Sequence, residues 1–201
     1  MRAIAIALGI CTLASLVSSS FVDFSKTPTS DLTPRKGAFA IWGLIYTLLI
    51  ASAIVVGSVR HGTISPLPHL LVCVALVITC AWSVAVTRSR RVALVALVAS
   101  ALTTWASLFF VRDDLLFSVA YGLLAGWLSV ATTLSTESND TRALAVGSVV
   151  VGSACVGLST PWPCASLLWG LACQRTVDPV VAGSIVATLS AITASVLRRY
   201  V

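Results

Sequence analysis

Charged side chains are scarce in this chain of 201 residues. Asp, Glu, Lys and Arg make up only 10% of it, whereas 58% is hydrophobic and the mean hydropathy is +1.00. A soluble globular domain carries roughly 25% charged residues. The charges here are too few to cover the surface of such a domain, so the composition excludes an ordinary soluble protein.

The few charges avoid the long apolar runs. No Asp, Glu, Lys or Arg lies within a predicted span away from its ends. Ionisable groups inside a membrane usually mark proton relays and ion pathways, so their absence argues against a pump or a proton-coupled transporter. His69 lies at a predicted helix start, which favours an interfacial histidine without a function over a relay.

Catalytic and metal-binding motifs are also missing. The chain has no G-x-S-x-G elbow and no H-E-x-x-H, so we predict no catalytic residues and no enzyme activity. The six cysteines fall singly in apolar runs without a C-x-x-C, and we interpret them as small buried residues rather than metal ligands or disulfide partners. The net charge of +6 lies in short loops without a basic stripe of interleaved aromatics, so nucleic acid is not an expected partner.

Long uncharged runs are the main feature that is present. A spanning helix needs about 20 mostly apolar residues, and in lipid the backbone must satisfy its own hydrogen bonds. We therefore predict an all-α, multi-pass transmembrane helix bundle with the lipid bilayer as its surroundings. The predicted helices cover residues 3–22, 39–59, 68–86, 92–111, 114–135, 142–159 and 179–197, with a short segment at 164–174.

Two segments leave alternatives open. Residues 3–17, followed by three serines, also fit a secretory signal peptide, although a first spanning helix is favoured. Pro161-Trp162-Pro163 interrupts the chain before a segment that is short for a full crossing. This segment is predicted to be either a tilted helix with the prolines in its first turn or a re-entrant piece.

The basic residues predict an orientation. Eight Lys and Arg lie on the side of the loops that follow helices 1, 3, 5 and 7, against five on the other side. The positive-inside rule places the first group in the cytosol. The sequon at Asn139 then faces the cytosol and carries no glycan. No sorting signal assigns a particular membrane.

Aromatic side chains form the most distinctive pattern. Phe39, Trp42 and Tyr46 are spaced to share one face of the second helix. An interfacial belt explains Trp162, but Trp127 lies about 20 Å along its helix from Asp114 at 1.5 Å per residue. Aromatics that converge from several helices suit a flat apolar ligand, and packing alone is the alternative.

Several short runs resemble one family. T-P-R-K-G-A-F-A-I-W-G-L-I-Y, residues 33–46, resembles the second-helix signature of the TspO/MBR family, the tryptophan-rich sensory proteins that include the translocator protein. C-A-W-S at 80–83 looks like the end of the family's third helix, and G-W-L-S-V-A-T at 126–132 is similar to the fifth-helix motif of longer members. S-L-L-W-G-L-A at 166–172 is similar to a stretch in their additional helices.

The resemblance implies an architecture and a function. It implies a TspO-like five-helix core over residues 1–136, followed at 137–201 by two or three further transmembrane helices in the same membrane unit. It also implies a non-enzymatic protein that binds a hydrophobic small molecule, such as a tetrapyrrole (porphyrin or haem), among helices 1–5 for sensing, sequestration or transport. The residues expected to line or frame the site are Trp42, Tyr46, Trp82, Trp105, Tyr121 and Trp127, and those expected in a lid are Arg35, Lys36 and Phe39.

The two lid cations have two possible roles, and several polar positions of the family are changed in this chain. The resemblance implies that Arg35 and Lys36 contact ligand carboxylates. Membrane anchoring by the positive-inside rule is an equal alternative. The family's Asn of the third helix falls on Thr79, and the Asn that closes the fifth falls near Leu134 or Ser135. Its Pro-Tyr pair is missing, with Tyr121 one turn earlier. Polar anchors of the family pocket are thus lost or replaced by hydroxyls.

Two further functions stay open from the residues alone. A small-solute carrier predicts broken helices near the midplane, for which the Pro161-Trp162-Pro163 interruption is the support. A structural membrane protein, including a homodimer, would act through small-residue helix faces. The small residues in question are Gly122, Gly126, Ser153 and Gly157.

Overall fold

The computed structural model describes residues 1–20, 36–58, 65–111, 113–135, 142–174 and 179–200. Within these ranges the regular structure is entirely helical, which confirms the predicted all-α fold. The helices are α1 (Arg2–Ser20), a short 3-10 helix (Lys36–Ala40), α2 (Ile41–Ser58), α3 (Leu67–Ala85), α4 (Arg90–Val111), α5 (Leu115–Leu134), α6 (Arg142–Leu158), α7 (Trp162–Ala172) and α8 (Pro179–Tyr200). Arg35 and Asn139 lie outside the described residues.

The lengths of the helices confirm an integral, multi-pass membrane protein. Among the described residues six helices are long and apolar enough to span a membrane, namely α1 to α5 and α8. α6 has 17 residues and α7 only 11. At 1.5 Å per residue α7 extends about 16 Å, roughly half of a hydrocarbon core of about 30 Å.

The first five helices close into a ring. α1 packs against α2 and α3, α3 against α4, α4 against α5, and α5 against α2, so the order around the ring is 1-2-5-4-3. α6 and α7 pack on α5, and α8 packs on α6 and α7. α5 is therefore the central helix. Of the apolar 18-residue stretch taken from each helix, 67% is buried in α5 and only 17% in α1.

Glycines on α5 allow α7 to approach it closely. A Cβ atom on Gly122 would lie 2.6 Å from the Cβ of Trp162, and one on Gly126 would overlap the carbonyl oxygen of Pro163. The Ser166 hydroxyl also donates to the Leu123 carbonyl at 2.7 Å. The predicted small-residue pair of α5 thus packs within the chain, as small residues commonly do between membrane helices.

The proline interruption forms the turn between α6 and α7. Ser159 has a left-handed φ of 51°, and the Thr160 N–H donates to the Cys155 carbonyl at 3.0 Å. This 6→1 bond ends α6 in a Schellman motif. Pro163 lies in the first turn of α7. The N–H that proline lacks would have no acceptor within the helix at this position. Locally, therefore, α7 is a helix with a proline in its first turn.

Buried hydroxyls find partners within their own helices. Thr12 donates to the Leu8 carbonyl at 2.7 Å and Ser52 to the Leu48 carbonyl at 2.8 Å. Such i to i−4 bonds satisfy a hydroxyl where water is absent. This explains how Ser and Thr fit among apolar helices in a chain with so few charges.

Candidate ligand-binding site

Four aromatic side chains meet where the chain enters α2. Trp42 stacks on Tyr46 with ring centroids 5.2 Å apart and an interplanar angle of 17°. The rings of Trp42 and Phe39 both meet the ring of Trp127 edge to face, at 6.3 and 6.2 Å. We call Phe39, Trp42, Tyr46 and Trp127 the lid-side cluster. Tyr46 and Trp127 are buried, at 3% and 2% exposed, whereas Phe39 and Trp42 are only partly buried.

The lid-side cluster has a polar edge on α1. The Tyr46 hydroxyl lies 3.1 Å from the Ser15 hydroxyl, which supplies the partner that a buried phenol requires. Ser15 is itself fully buried. The pair therefore fixes the end of α1 against the start of α2, and with it the orientation of the Tyr46 ring.

α7 contributes to the lid-side cluster as well. The Trp169 indole N–H donates to the Ala38 carbonyl in the 3-10 helix at 3.0 Å. A Cβ atom on Gly170 would lie 3.6 Å from Cζ3 of Trp127, so that ring rests against α7. Sequence reasoning placed the site among helices 1–5 and missed this contact. The signal for it is the glycine beside Trp169 in S-L-L-W-G-L-A.

The other two predicted tryptophans lie apart from this cluster. The Trp105 N–H on α4 donates to the Ser129 hydroxyl on α5 at 3.1 Å. Trp82 lies near the end of α3, and its indole nitrogen is buried without a hydrogen-bond partner among the described residues. Within those residues no ring contact joins either tryptophan to the lid-side cluster.

Trp82 nevertheless lies at the same end of the ring as the lid-side cluster. The neighbouring Ser83 hydroxyl donates to the Ser18 hydroxyl at 3.5 Å, so the last turn of α3 meets the last turns of α1. The Ser15–Tyr46 contact joins α1 to the start of α2 at that end. The end of α1 therefore lies between Trp82 and the lid-side cluster.

Tyr121 belongs to a second group of rings. Its hydroxyl lies 2.6 Å from Nδ1 of His69, and both residues are fully buried. Phe117 meets the His69 ring edge to face at 4.7 Å and stacks on Tyr121 at 5.9 Å. We call His69, Phe117 and Tyr121 the histidine cluster. His69 is the third residue of α3, at the predicted helix start, and its imidazole is enclosed between α3 and α5.

The two clusters lie at opposite ends of the ring. α3 and α5 begin at the histidine cluster, and the Asp114 side chain caps α5 there by accepting from the Phe117 N–H at 3.2 Å. An acidic residue suits this position because the first N–H groups of a helix lack partners within it. On α5, Tyr121 and Trp127 are six residues, or about 9 Å of helix rise, apart. Of the predicted site residues, Trp42, Tyr46 and Trp127 thus lie in one cluster and Tyr121 in the other.

The remaining predicted positions are polar. The Thr79 hydroxyl donates to the Ala75 carbonyl at 2.9 Å and lies 2.9 Å from the Ser100 hydroxyl. It joins α3 to α4 and has its partners within the protein. Lys36 is the first residue of the 3-10 helix, and its side chain is not described.

Comparison with known proteins agrees with this architecture. A family model described as TSPO-like protein matches residues 2–141, a segment that holds α1 to α5. The comparisons with curated proteins and with solved structures give no match.

Proposed function

Since the chain belongs to the TSPO-like protein family, we propose that this membrane protein binds a flat, hydrophobic ligand of the tetrapyrrole class at the lid-side cluster. The proposed role is non-enzymatic and consists of sensing, sequestration or passage of that ligand. The proposal takes Trp42, Tyr46 and Trp127 from the predicted site residues, with Trp82 at its edge. Trp105 and Tyr121 then support the bundle.

The observation that carries the proposal is the position of Trp42. Its ring contacts both Tyr46 and Trp127, so these partners hold it in one orientation. It is nevertheless only partly buried, so part of the ring lies outside the packed core. A pre-oriented aromatic ring that is not fully covered suits stacking by a flat ligand.

Polar groups at the same end suit the edges of such a ligand. The Trp82 indole N–H is a buried donor without a partner among the described residues, and an unpaired buried donor is costly unless something accepts from it. The 3-10 helix that leads into the lid-side cluster begins at Lys36, directly after Arg35. Two cations at this position suit the carboxylates of a porphyrin.

Porphyrin titration of the purified protein tests the proposal. The dissociation constant is read from the shift of the porphyrin absorption band, because removing a tryptophan also removes a fluorescence reporter. An aromatic pair contributes about 0.5–1.5 kcal/mol, so Trp42→Ala and Trp127→Ala should each weaken binding by roughly two- to tenfold. Trp162→Phe, at the histidine end of α7, is the matched control and should bind as the wild type does.

Two results would count against the proposal. One is an absorption band that does not shift saturably with the wild-type protein. The other is a dissociation constant that Trp42→Ala and Trp127→Ala leave unchanged. Solute flux in liposomes without porphyrin binding would instead favour a carrier. The structure gives that alternative no specific support, because the proline interruption is the α6–α7 turn.

A second titration tests whether Arg35 and Lys36 interact with the carboxylates of the ligand. The double variant Arg35→Gln, Lys36→Gln should weaken binding of a porphyrin with free carboxylates several-fold and leave binding of its dimethyl ester unchanged. Equal losses for both ligands would assign the two cations to membrane anchoring rather than to the ligand.

A further inference from the structure

An open groove runs between α6 and α8, on helices that follow the matched family segment. Its volume is about 480 Å³, within the range of roughly 300–1,000 Å³ typical of small-molecule sites. Small residues line most of it, namely Ser148, Gly152, Ser153 and Gly157 from α6 and Ala187 and Ala191 from α8. A Cβ atom on Gly152 would lie only 3.1 Å from the Cβ of Ala191. The groove is therefore narrow, and its wall is mostly aliphatic with the hydroxyls of Ser148 and Ser153 among the small residues.

A cation stands at one end of the groove. Arg198 lines it and donates from Nη1 to the Val156 carbonyl at 3.2 Å. This bond uses one of the five N–H donors of a guanidinium group, and the side chain is exposed. Arg199 follows in the same last turn. Neither α6 nor α8 contains an Asp or Glu, so no carboxylate on these helices competes for the cation.

The length of the groove matches one leaflet of a bilayer. Ala187 and Arg198 are eleven residues apart on α8, which corresponds to about 16 Å at 1.5 Å per residue. Half of a hydrocarbon core of about 30 Å is about 15 Å. With Arg198 at the helix end, the apolar part of the groove extends from the headgroup level to about the bilayer centre.

We propose that this groove binds one anionic phospholipid, with its phosphate at Arg198 and an acyl chain along the small residues between α6 and α8. A single acyl chain is narrow enough for a groove between two touching helices, whereas a helix is about 10–12 Å wide. In a twofold dimer the same patch faces its own copy, and that patch contains no Asp or Glu to pair with Arg198. The charge and the width therefore favour a lipid over a second copy of the chain.

Native mass spectrometry of the detergent-purified protein tests this site with two probes. These are phosphatidylglycerol and phosphatidylcholine with identical acyl chains. We expect phosphatidylglycerol to bind at least fivefold more tightly. Arg198→Gln should remove this preference, whereas Arg91→Gln, which removes an exposed cation at the start of α4, should keep it.

A second pair of variants tests the apolar part. A Cβ atom on either Gly157 or Gly183 meets nothing within 4 Å, so both tolerate a side chain, but only Gly157 lines the groove. Gly157→Leu should weaken binding of both lipids about fivefold, and Gly183→Leu should leave it unchanged. Equal wild-type affinity for the two lipids, or a preference that survives Arg198→Gln, would overturn the proposal. A dimer that Gly157→Leu abolishes would assign the groove to a second copy instead.

Discussion

The lid-side cluster and the histidine cluster are both groups of packed rings, and they differ in how far those rings are buried. In the histidine cluster His69 and Tyr121 are fully buried and joined by a 2.6 Å hydrogen bond. In the lid-side cluster Trp42 and Phe39 are only partly buried, and nearby Trp82 holds an unpaired donor. Among the described residues the Nε2 atom of His69 is also buried without a hydrogen-bond partner, so an unpaired polar atom is present at both ends. What distinguishes the lid-side cluster is the aromatic surface that its packing leaves uncovered. An aromatic residue in a span therefore indicates a ligand site only where its neighbours leave part of the ring uncovered.

The largest expected effect comes from a substitution in α5, the helix that contributes rings to both clusters. Gly126→Leu would place a side chain against the Pro163 backbone, so α7 must move away from α5. Overpacking of this kind costs about 3 kcal/mol, and we expect thermal unfolding in detergent at a clearly lower temperature. Porphyrin binding should weaken too, because Trp127 loses its contact with α7. Gly183→Leu is the matched control, and an equal effect in both variants would show that α7 does not depend on this contact.

A smaller effect is expected from a matched pair of Tyr→Phe variants, one in each cluster. Tyr121→Phe leaves Nδ1 of the buried His69 without its partner, which should lower the free energy of unfolding by about 2 kcal/mol. Tyr46→Phe removes a 3.1 Å contact with a serine and should cost about 1 kcal/mol. Tyr121→Phe should leave porphyrin affinity unchanged. If it weakens porphyrin binding more than Tyr46→Phe does, the assignment of the two clusters is reversed.

The smallest expected effect is the loss of one indole N–H, compared between Trp105 and Trp82. Trp105→Phe removes an N–H that is bonded to Ser129 and should cost about 1 kcal/mol of stability. Trp82→Phe removes an N–H without a described partner, so the ligand-free protein should keep its stability or gain slightly. Porphyrin affinity should fall several-fold with Trp82→Phe alone. Thermal unfolding with and without porphyrin measures both effects, and a loss of ligand-free stability at Trp82 would mean that its donor is already satisfied.

Much of the fold follows from local features of the sequence. Uncharged runs of about 20 residues predict the spanning helices, since lipid leaves the backbone few alternatives. Asp114 marks the start of α5 because its carboxylate can cap the helix. The stacking of Trp42 on Tyr46 follows from their spacing by one helical turn. These features depend on neighbours along the chain, and the sequence displays such neighbours directly.

Contacts between distant residues were not predictable in the same way. His69 and Tyr121 are 52 residues apart, and nothing in either local stretch indicates that they pair. The hydrogen bond from Trp169 to Ala38 joins residues 131 apart and depends on how α7 docks on α5. A glycine or a tryptophan indicates that a helix can pack or bind, but only the packed bundle shows against which partner.

The most direct test of the lid-side cluster as the binding site is cross-linking by a photoactivatable porphyrin in nanodiscs, mapped by peptide mass spectrometry. We predict saturable labelling of the 36–46 segment and of the α5 peptide around Trp127, with competition by unmodified porphyrin. Saturable labelling at the starts of α3 and α5, around His69 and Tyr121, would contradict the assignment. So would labelling that is spread over lipid-facing positions and resists competition.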